Sequence, residues 1–163
     1  MSEQFKSKRL TVRALSLNEM QQLQNSAQNF LKESVLSEVI RNAITKKIER
    51  MREVSEDAHP WLTYWLIREE DSGQGIGLVG SKFLPDEEGY VELGYAIAEE
   101  NRRNGYMTEA LEGFLDWLCE FPFCNGAVLS IWNENASSIK VAEKCGFCYK
   151  ETKEGYRIYQ YDF

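Results

Sequence analysis

The sequence contains a single histidine, three prolines and no long uninterrupted hydrophobic run. His59 precedes Pro60, and the absence of a second histidine and of a G-x-S-x-G segment argues against a Ser-His-Asp hydrolase. A covalent route would need an activated cysteine or serine with a partner base, which the sequence does not offer. No stretch approaches the length of a membrane span, and the first ten residues lack the apolar core of a signal peptide. These absences predict a cytoplasmic protein with no membrane partner.

Positive charge is also scarce. The chain has 19 Lys and Arg against 26 Asp and Glu, which gives a formal net charge of −7. This balance argues against a nucleic-acid partner, which needs a basic face, and favours a cationic acceptor such as an amine. The acidic clusters 69–71 and 86–88 lack the spacing of a calcium loop, so we expect solvated turns and no metal.

Four cysteines are present, and Cys145 and Cys148 form a C-x-x-C pair. The pair lies around a glycine turn without the knuckle pattern of zinc ligands. We therefore expect reduced thiols, with a zinc site or a disulfide as the alternative.

The length of 163 residues fits one domain, residues 1–163, with no linker marked by glycine or proline. Leu10–Leu15 alternates as an edge strand does, and Asn18 is a suitable cap for a short helix after it. Apolar residues at three- and four-residue steps predict a long amphipathic helix over Glu33–Val54. His59-Pro60 should end this helical region, because the residue before proline disfavours the helical conformation.

The rest of the chain alternates strand and helix patterns. The expected strands are Trp61–Arg68, Ile76–Leu84, Tyr90–Ala98, Ala127–Trp132, Phe147–Thr152 and Tyr156–Tyr161, and the expected helices are Asn104–Glu120 and Asn135–Lys144. This order predicts an α/β (α+β) fold with a mixed, mostly antiparallel, twisted sheet. We expect about six to seven strands and about four flanking helices.

The most informative segment is Asn101–Ala110, read as N-R-R-N-G-Y-M-T-E-A. It follows an apolar strand and opens a helix, so its glycine and two arginines lie at a helix N-terminus. Unpaired N–H groups and the helix dipole favour an anion there, and Arg102 and Arg103 add two full charges. The segment predicts a phosphate-binding turn, although a basic solvated loop has the same composition.

The residue order Arg102-x-x-Gly105-x-Met107 resembles the acetyl-coenzyme A loop of the GNAT superfamily of N-acetyltransferases, written R/Q-x-x-G-x-G/A. A second segment, Asn135-Ala136-Ser137-Ser138 to Lys144-Cys145-Gly146-Phe147, resembles the N-x-A-S…K-x-G-F segment of the branch of ribosomal-protein N-terminal (alanine/serine) acetyltransferases. The resemblance implies a single GNAT-like domain that uses acetyl-CoA as cosubstrate. Met107 departs from the small residue usual in the family, so its side chain must point away from the cofactor.

The resemblance also implies the cofactor-binding residues. The backbone of strand residues pairs with the pantetheine arm, the turn binds the phosphates, and Asn135 caps a helix while its amide contacts the arm. The implied set is Tyr95, Ala96, Ile97, Arg102, Arg103, Asn104, Gly105, Tyr106, Met107, Thr108 and Asn135. Arg103 replaces a glycine common in relatives, and we expect it to add a phosphate contact.

Two residues are candidates for catalysis. Glu92 shares a strand face with Gly94 and Ala96, whose small side chains leave room for an amine, so it is the candidate general base. The alternative is a structural ion pair. Family members often protonate the thiolate with a tyrosine, but that position is Ala142 here. Ser138 is the substitute candidate, with a simple helix cap as its alternative.

These features together predict an acyltransferase that moves an acetyl group from acetyl-CoA to a primary amine, a protein N-terminus or a small amine, by direct transfer in a ternary complex. A non-catalytic acetyl-CoA binding module or sensor is the alternative. Acceptor choice is expected to depend on Asn18–Glu56 and Asp86–Gly89. The sequence leaves the oligomeric state open, and a dimer is possible.

Overall fold

The computed structural model describes residues 3–26 and 29–163. Within this part of the chain there are eight strands and five α-helices. The strands are β1 Gln4–Lys6, β2 Leu10–Ala14, β3 Trp65–Glu69, β4 Gly75–Ser81, β5 Tyr90–Ile97, β6 Gly126–Trp132, β7 Cys148–Lys153 and β8 Tyr156–Asp162. The helices are α1 Leu17–Asn25, α2 Glu38–Arg52, α3 His59–Leu62, α4 Tyr106–Cys119 and α5 Ala136–Lys144. Residues 27 and 28 of the predicted acceptor segment, and the first two residues, lie outside the described part.

All eight strands form one sheet in the order β1-β2-β3-β4-β5-β6-β8-β7. Neighbouring strands are antiparallel except β5 and β6, which are parallel. The parallel pair needs a crossover, and α4 lies within it. The predicted fold class is confirmed. The additional strand is β1, whose three residues are too few to show a pattern of their own.

Helices pack on both faces of the sheet. Trp65, Val79 and Tyr95 are neighbours in register on adjacent strands and share one face. The Trp65 ring lies 4.7 Å from that of Trp117 in α4, so α4 covers this face. Gly80 and Gly94 are paired on the opposite face, beneath α2. Helix α4 therefore covers one face of the sheet, and α2 covers the other.

The first strand and helix differ from the sequence expectation. β2 is not an edge strand, because β1 pairs with its outer side. Helix α1 is capped by Ser16 and not by Asn18: the Ser16 hydroxyl accepts from the Glu19 N–H, and the Glu19 carboxylate accepts from the Ser16 N–H. This reciprocal pair satisfies two helix-end donors at once, an advantage that Asn18 does not offer.

The predicted helix Glu33–Val54 is shorter than expected. Residues 33–35 form a single 3₁₀ turn, and α2 begins only at Glu38. The Ser37 hydroxyl accepts from the Ile40 N–H at 3.3 Å and sets the start of the helix. The sequence did not indicate this break because Val35 and Leu36 are also buried, so the apolar spacing runs through it.

The segment after the proline also differs. Trp61 was expected in a strand, but it lies in the four-residue helix α3, and β3 starts at Trp65. Pro60 occupies the first turn of α3, where its missing N–H costs nothing. The Trp61 ring packs 5.0 Å from Trp117 and 4.9 Å from Phe121, and this burial holds the segment in helical form.

No helix in residues 3–26 and 29–163 has both the length and the apolar composition needed to cross a membrane.

Candidate active site

The turn before α4 has an unusual backbone. Arg103 and Gly105 both have positive φ, 66° and 76°. Gly105 is the residue before the helix, and no side chain caps the N–H groups of the first turn. The amides of Tyr106, Met107 and Thr108 are therefore available to an anion at the positive end of a 14-residue helix.

A residue from the start of the chain fixes this turn. The Arg9 guanidinium donates to the Asn104 carbonyl at 2.8 Å and to the Glu109 carboxylate at 2.7 Å. It also lies 4.2 Å from the centre of the Tyr106 ring. Burial raises the pKa of Glu109, but the hydrogen bonds from Ser7 and Arg9 outweigh it, and the pKa is lowered overall. Glu109 thus stays ionised and ties α4 to the segment before β2.

The side chains of the turn divide between solvent and core. Arg102, Arg103 and Asn104 are exposed, so both guanidinium groups are free to meet a ligand. Met107 is only 5% exposed and belongs to the core. Its side chain points inward and leaves the outer surface of the turn open, which is the orientation that the sequence required of it.

Strands β5 and β6 separate along the second half of β5. Their parallel pairing covers Tyr90, Val91 and Glu92 and extends no further. Beyond that point β5 pairs only with β4, through its even-numbered residues: the Glu92 carbonyl accepts from Lys82, and the Ala98 N–H donates to Ile76. Backbone groups alternate along a strand, so those of Tyr95 and Ile97 face the opening towards β6. An extended ligand can pair with this free edge.

A tyrosine and a serine meet across the opening. The Tyr95 and Ser138 hydroxyl oxygens lie 2.7 Å apart, and either hydroxyl can donate. Burial raises the pKa of Tyr95 to about 12, so the phenol remains protonated at neutral pH. Ser138, predicted as a proton donor, therefore belongs to a hydroxyl pair. Tyr95 was predicted for its backbone alone.

Asn135 caps α5, as the sequence predicted. Its side-chain oxygen accepts from the Ser138 N–H at 3.2 Å and from the Ser137 hydroxyl at 3.2 Å. Its amide nitrogen has no hydrogen-bond partner among residues 3–26 and 29–163. The cap therefore leaves two donors for a ligand in the adjacent opening.

Glu92 lies on the other face of β5, with Gly94 and Ala96 as expected. Its carboxylate forms an ion pair with the Lys82 ammonium at 2.5 Å, and both side chains are more than one-third exposed. The structural alternative named for Glu92, an ion pair, is thus present. The carboxylate nevertheless remains accessible from solvent, as a general base must be.

A cleft of about 410 Å³ lies beside this ion pair, between α2 and the sheet. Gly80 and Gly94 form part of its floor, so backbone takes the place of side chains there. A Cβ atom on Gly94 would meet only the Lys82 side chain, at 3.5 Å. The cleft is lined by Val39, Asn42, Ala43, Lys46, Lys47, Arg50, Tyr64, Gly80, Lys82, Phe83 and Gly94.

Lys47 is buried at the base of this cleft, with 4% of its surface exposed. Its ammonium donates to the carbonyls of Ser81 at 2.9 Å and Leu62 at 3.3 Å, and it lies 4.5 Å from the centre of the Tyr64 ring. Burial lowers the pKa of Lys47 to about 7, and the nearby charge of Arg50 contributes to the shift. Burial of an ammonium without a carboxylate partner lowers the folding free energy that the protein gains, so a purely structural role does not account for this lysine.

Lys47 should make stability depend on pH. Its pKa is about 7 in the folded chain and 10.5 ordinarily, so between these values the unfolded chain binds more protons and stability rises with pH. The unfolding free energy of the unmodified chain, minus that of Lys47→Met, should therefore rise from pH 7 to pH 9, by up to about 1.4 kcal/mol per pH unit. Urea titrations of both proteins measure it, and groups common to both cancel. A difference that stays constant with pH would contradict the burial of a titrating ammonium.

The histidine lies outside this arrangement, whereas Cys145 borders it, since its thiol donates to the Thr108 carbonyl at 3.6 Å. His59 donates through Nε2 to the Met51 carbonyl at 2.7 Å and so ties α3 to the end of α2. All four cysteines are free thiols. Burial raises the pKa of Cys145 to about 12, which leaves it without thiolate character at neutral pH. Within residues 3–26 and 29–163, no three His, Cys, Asp or Glu side chains are grouped closely enough to hold a metal ion.

The sequence did not predict roles for Arg9, Lys47 or Lys82, nor for the side chain of Tyr95. Arg9 and Lys47 act on residues far away in the chain, and no local pattern marks them. The register with Trp65 places the Tyr95 side chain on the face of the sheet that α4 covers, but this register requires the strand pairing to be known.

A comparison with protein families matches residues 9–148 to the acetyltransferase (GNAT) domain. Among curated proteins, the chain is 29% identical over 97 residues to the uncharacterized N-acetyltransferase YjdG of Bacillus subtilis (strain 168). This match covers 60% of the chain and 58% of YjdG, so the chain spans little more than half the length of that relative.

Solved structures share the fold. The ribosomal-protein-S5-alanine acetyltransferase of Vibrio fischeri superposes with a TM-score of 0.73 at 15% identity, covering 98% of this chain and 96% of the other. The ribosomal L7/L12 α-N-protein acetyltransferase RimL, in complex with coenzyme A, gives 0.68 at 16% identity, covering 96% and 95%.

Proposed function

Because the chain belongs to the acetyltransferase (GNAT) domain family, whose cosubstrate is acetyl-CoA, we propose that it transfers an acetyl group to a primary amine by direct transfer in a ternary complex. The observation that carries this proposal is the opening between β5 and β6. The free edge at Tyr95 and Ile97 is followed in the chain by the turn whose uncapped amides begin α4. Glu92 lies at the other end of the opening, where β5 still pairs with β6. A donor site and a candidate base thus lie along one strand.

The residues of the turn fit a phosphorylated, extended ligand. Amides 106–108 and the two exposed arginines would hold the phosphates, and the free edge of β5 would pair with the pantetheine arm as an added strand. The Asn135 amide nitrogen would bind the same arm. When bound, acetyl-CoA supplies the acetyl group as a thioester.

Glu92 would receive the proton that the acceptor ammonium must lose before it can attack. Its ion pair with Lys82 orients the carboxylate in the free enzyme. Cys145 borders the site, but burial raises its pKa to about 12 and makes it a poor nucleophile. The absence of a side chain at Gly94 leaves space for the amine.

Ser138 would deliver a proton to the thiolate that leaves. Its hydroxyl lies 2.7 Å from that of Tyr95, which is protonated at neutral pH in the free enzyme. Tyr95 would return a proton to the serine, and the resulting phenolate would take one from solvent. This pair takes the role that a tyrosine at position 142 has in many family members, since Ala142 is buried in the core here.

The acceptor would be a protein N-terminus or a small amine, without nucleic-acid or membrane partners. We further propose that residues 1–163 act as one domain in the cytoplasm, and that a dimer is possible. The α-N-protein acetyltransferases among the structural neighbours support a protein N-terminus.

The proposed function is tested by thiol release from acetyl-CoA in the presence of a panel of amines and peptides. Release above the rate without acceptor, together with formation of the acetylated amine, is the expected result. Ser138→Ala should slow this release, and an unchanged rate would remove Ser138 from the mechanism. Tight binding of coenzyme A with no release for any amine would instead support a non-catalytic acetyl-CoA sensor.

A further inference from the structure

The cleft between α2 and the sheet is strongly basic, in contrast with the whole molecule. Four cationic side chains line it, Lys46, Lys47, Arg50 and Lys82, and no acidic side chain is among its lining residues. The chain as a whole carries a net charge of −7. A ligand entering the cleft meets this local field, because a solvated charge beyond about 10 Å is largely screened at 0.1 M salt.

Few of these charges are compensated. Among the ion pairs of the described residues, Lys82 with Glu92 is the one that involves the cleft. Arg50 packs 4.2 Å over the Phe83 ring and donates to the Lys82 carbonyl at 3.3 Å. Lys46 and Arg50 therefore face the cleft without a carboxylate partner, and the buried Lys47 lies beside them.

Lys47 provides an independent indication. An ammonium has three donors, and the two that are used go to the Ser81 and Leu62 carbonyls. The groups that surround it are Arg50, Lys82 and the Tyr64 ring, and none carries negative charge at neutral pH. An anion in the cleft would supply the missing partner and would favour the charged form of the lysine.

The rim of the cleft adds an apolar component. Val39 is 75% exposed and Phe83 is 53% exposed, and both line the opening. The floor at Gly80 and Gly94 has no side chain. The cleft thus suits a ligand with an anionic group, a short apolar body and an amine that reaches Glu92.

We propose that the acceptor is a primary amine that also carries a carboxylate or another anionic group, bound by Lys46 and Arg50 with its amine directed to Glu92. This inference rests on the proposed function. The same chemistry is offered by a small amino acid and by an acidic peptide N-terminus, whereas a polyamine is disfavoured by like charges.

Three four-carbon amines test the charge preference directly: 4-aminobutyrate, butylamine and putrescine, which differ in the group at the far end. The kcat/KM for 4-aminobutyrate should exceed that for putrescine by about tenfold or more, with butylamine between them. Salt should reduce the difference, because Lys46 and Lys82 are exposed to solvent. Equal rates, or a preference for putrescine, would overturn the proposal.

The cleft cations are tested by Lys46→Gln, alone and combined with Arg50→Gln. The ratio between 4-aminobutyrate and putrescine should fall stepwise towards one, mainly through KM. Lys150→Gln removes the same charge from exposed strand β7 and should leave the ratio unchanged. The single variant at exposed Lys46 carries the test if the double variant unfolds, and an unchanged ratio there would contradict a role for that charge.

Amidated peptides distinguish the two sources of the anion. Ala-Asp-Asp should be acetylated faster than Ala-Asn-Asn and Ala-Lys-Lys if the acceptor is an acidic N-terminus. If 4-aminobutyrate is preferred over butylamine while the three peptides react alike, the anion belongs to a small molecule.

Binding separates this inference from the proposed function. N-acetyl-4-aminobutyrate and N-acetylputrescine are the acetylated forms of two test amines, and calorimetry measures their affinity without any reaction. Binding of the anionic compound alone, with no transfer to any amine, would sustain the anion site and reject the enzyme. Transfer without any preference for anionic amines would reject the anion site and sustain the enzyme. Absence of binding for both compounds, together with no transfer, would reject both.

Discussion

Replacing Glu92 with glutamine should lower kcat by about 100-fold or more and leave the affinity for coenzyme A nearly unchanged. Glutamine has the same shape but cannot accept a proton from the amine. Single-turnover acetyl transfer, with coenzyme A affinity measured separately by calorimetry, gives both quantities. The loss should diminish at high pH, where more of the acceptor amine is already deprotonated.

Lys82→Met is the matched control, because it breaks the same ion pair and leaves the carboxylate in place. If Glu92 acts only through that pair, the two variants should lose activity equally. If Glu92 is the base, Lys82→Met should change KM more than kcat. Unchanged turnover in Glu92→Gln would remove this residue from the mechanism.

The double variant Arg102→Ala with Gly105→Val should weaken coenzyme A binding by about 100-fold. The arginine would contribute a charge-assisted hydrogen bond to the phosphates, worth about 1.5 kcal/mol or more. Valine at a φ of 76° strains the turn and covers amides that the phosphates need. Calorimetric titration with coenzyme A measures the loss.

Gly73→Val separates backbone strain from the loss of the binding surface. Gly73 has a φ of 70° in another turn, and its Cβ would meet only Arg68 at 3.6 Å, much as a Cβ on Gly105 would meet only Arg9 at 3.5 Å. Both substitutions should lower stability by similar amounts, but Gly73→Val should retain coenzyme A affinity. Intact affinity in the double variant would show that the phosphates bind elsewhere.

The second half of the fold could be predicted from the sequence because its signals are local. Strand β5, helix α4 and the closing hairpin each combine one clear period with glycine or proline at its ends. In the first half, two serines cap helices where the apolar spacing alone suggested other boundaries. Pro60 was taken as the end of a helical region, yet it starts α3, since proline is equally compatible with a first turn.

The site could be predicted only where its residues follow one another in the chain. The turn 101–108 and the cap at Asn135 carry their signal in a few consecutive residues. The contacts of Arg9 with Glu109 and of Lys47 with Ser81 span 100 and 34 residues. They exist because the fold packs α4 against β2 and places α2 over the end of β4, which spacing along the sequence does not reveal.

The parting of β5 and β6 also divides the sheet mechanically. Strands β1–β5 and β6–β8 are antiparallel blocks that are joined along one seam of three residue pairs. A seam this short opens locally at a lower free energy than the ladders on either side of it. A ligand that lies in the opening cross-links the blocks and adds its binding free energy to their association.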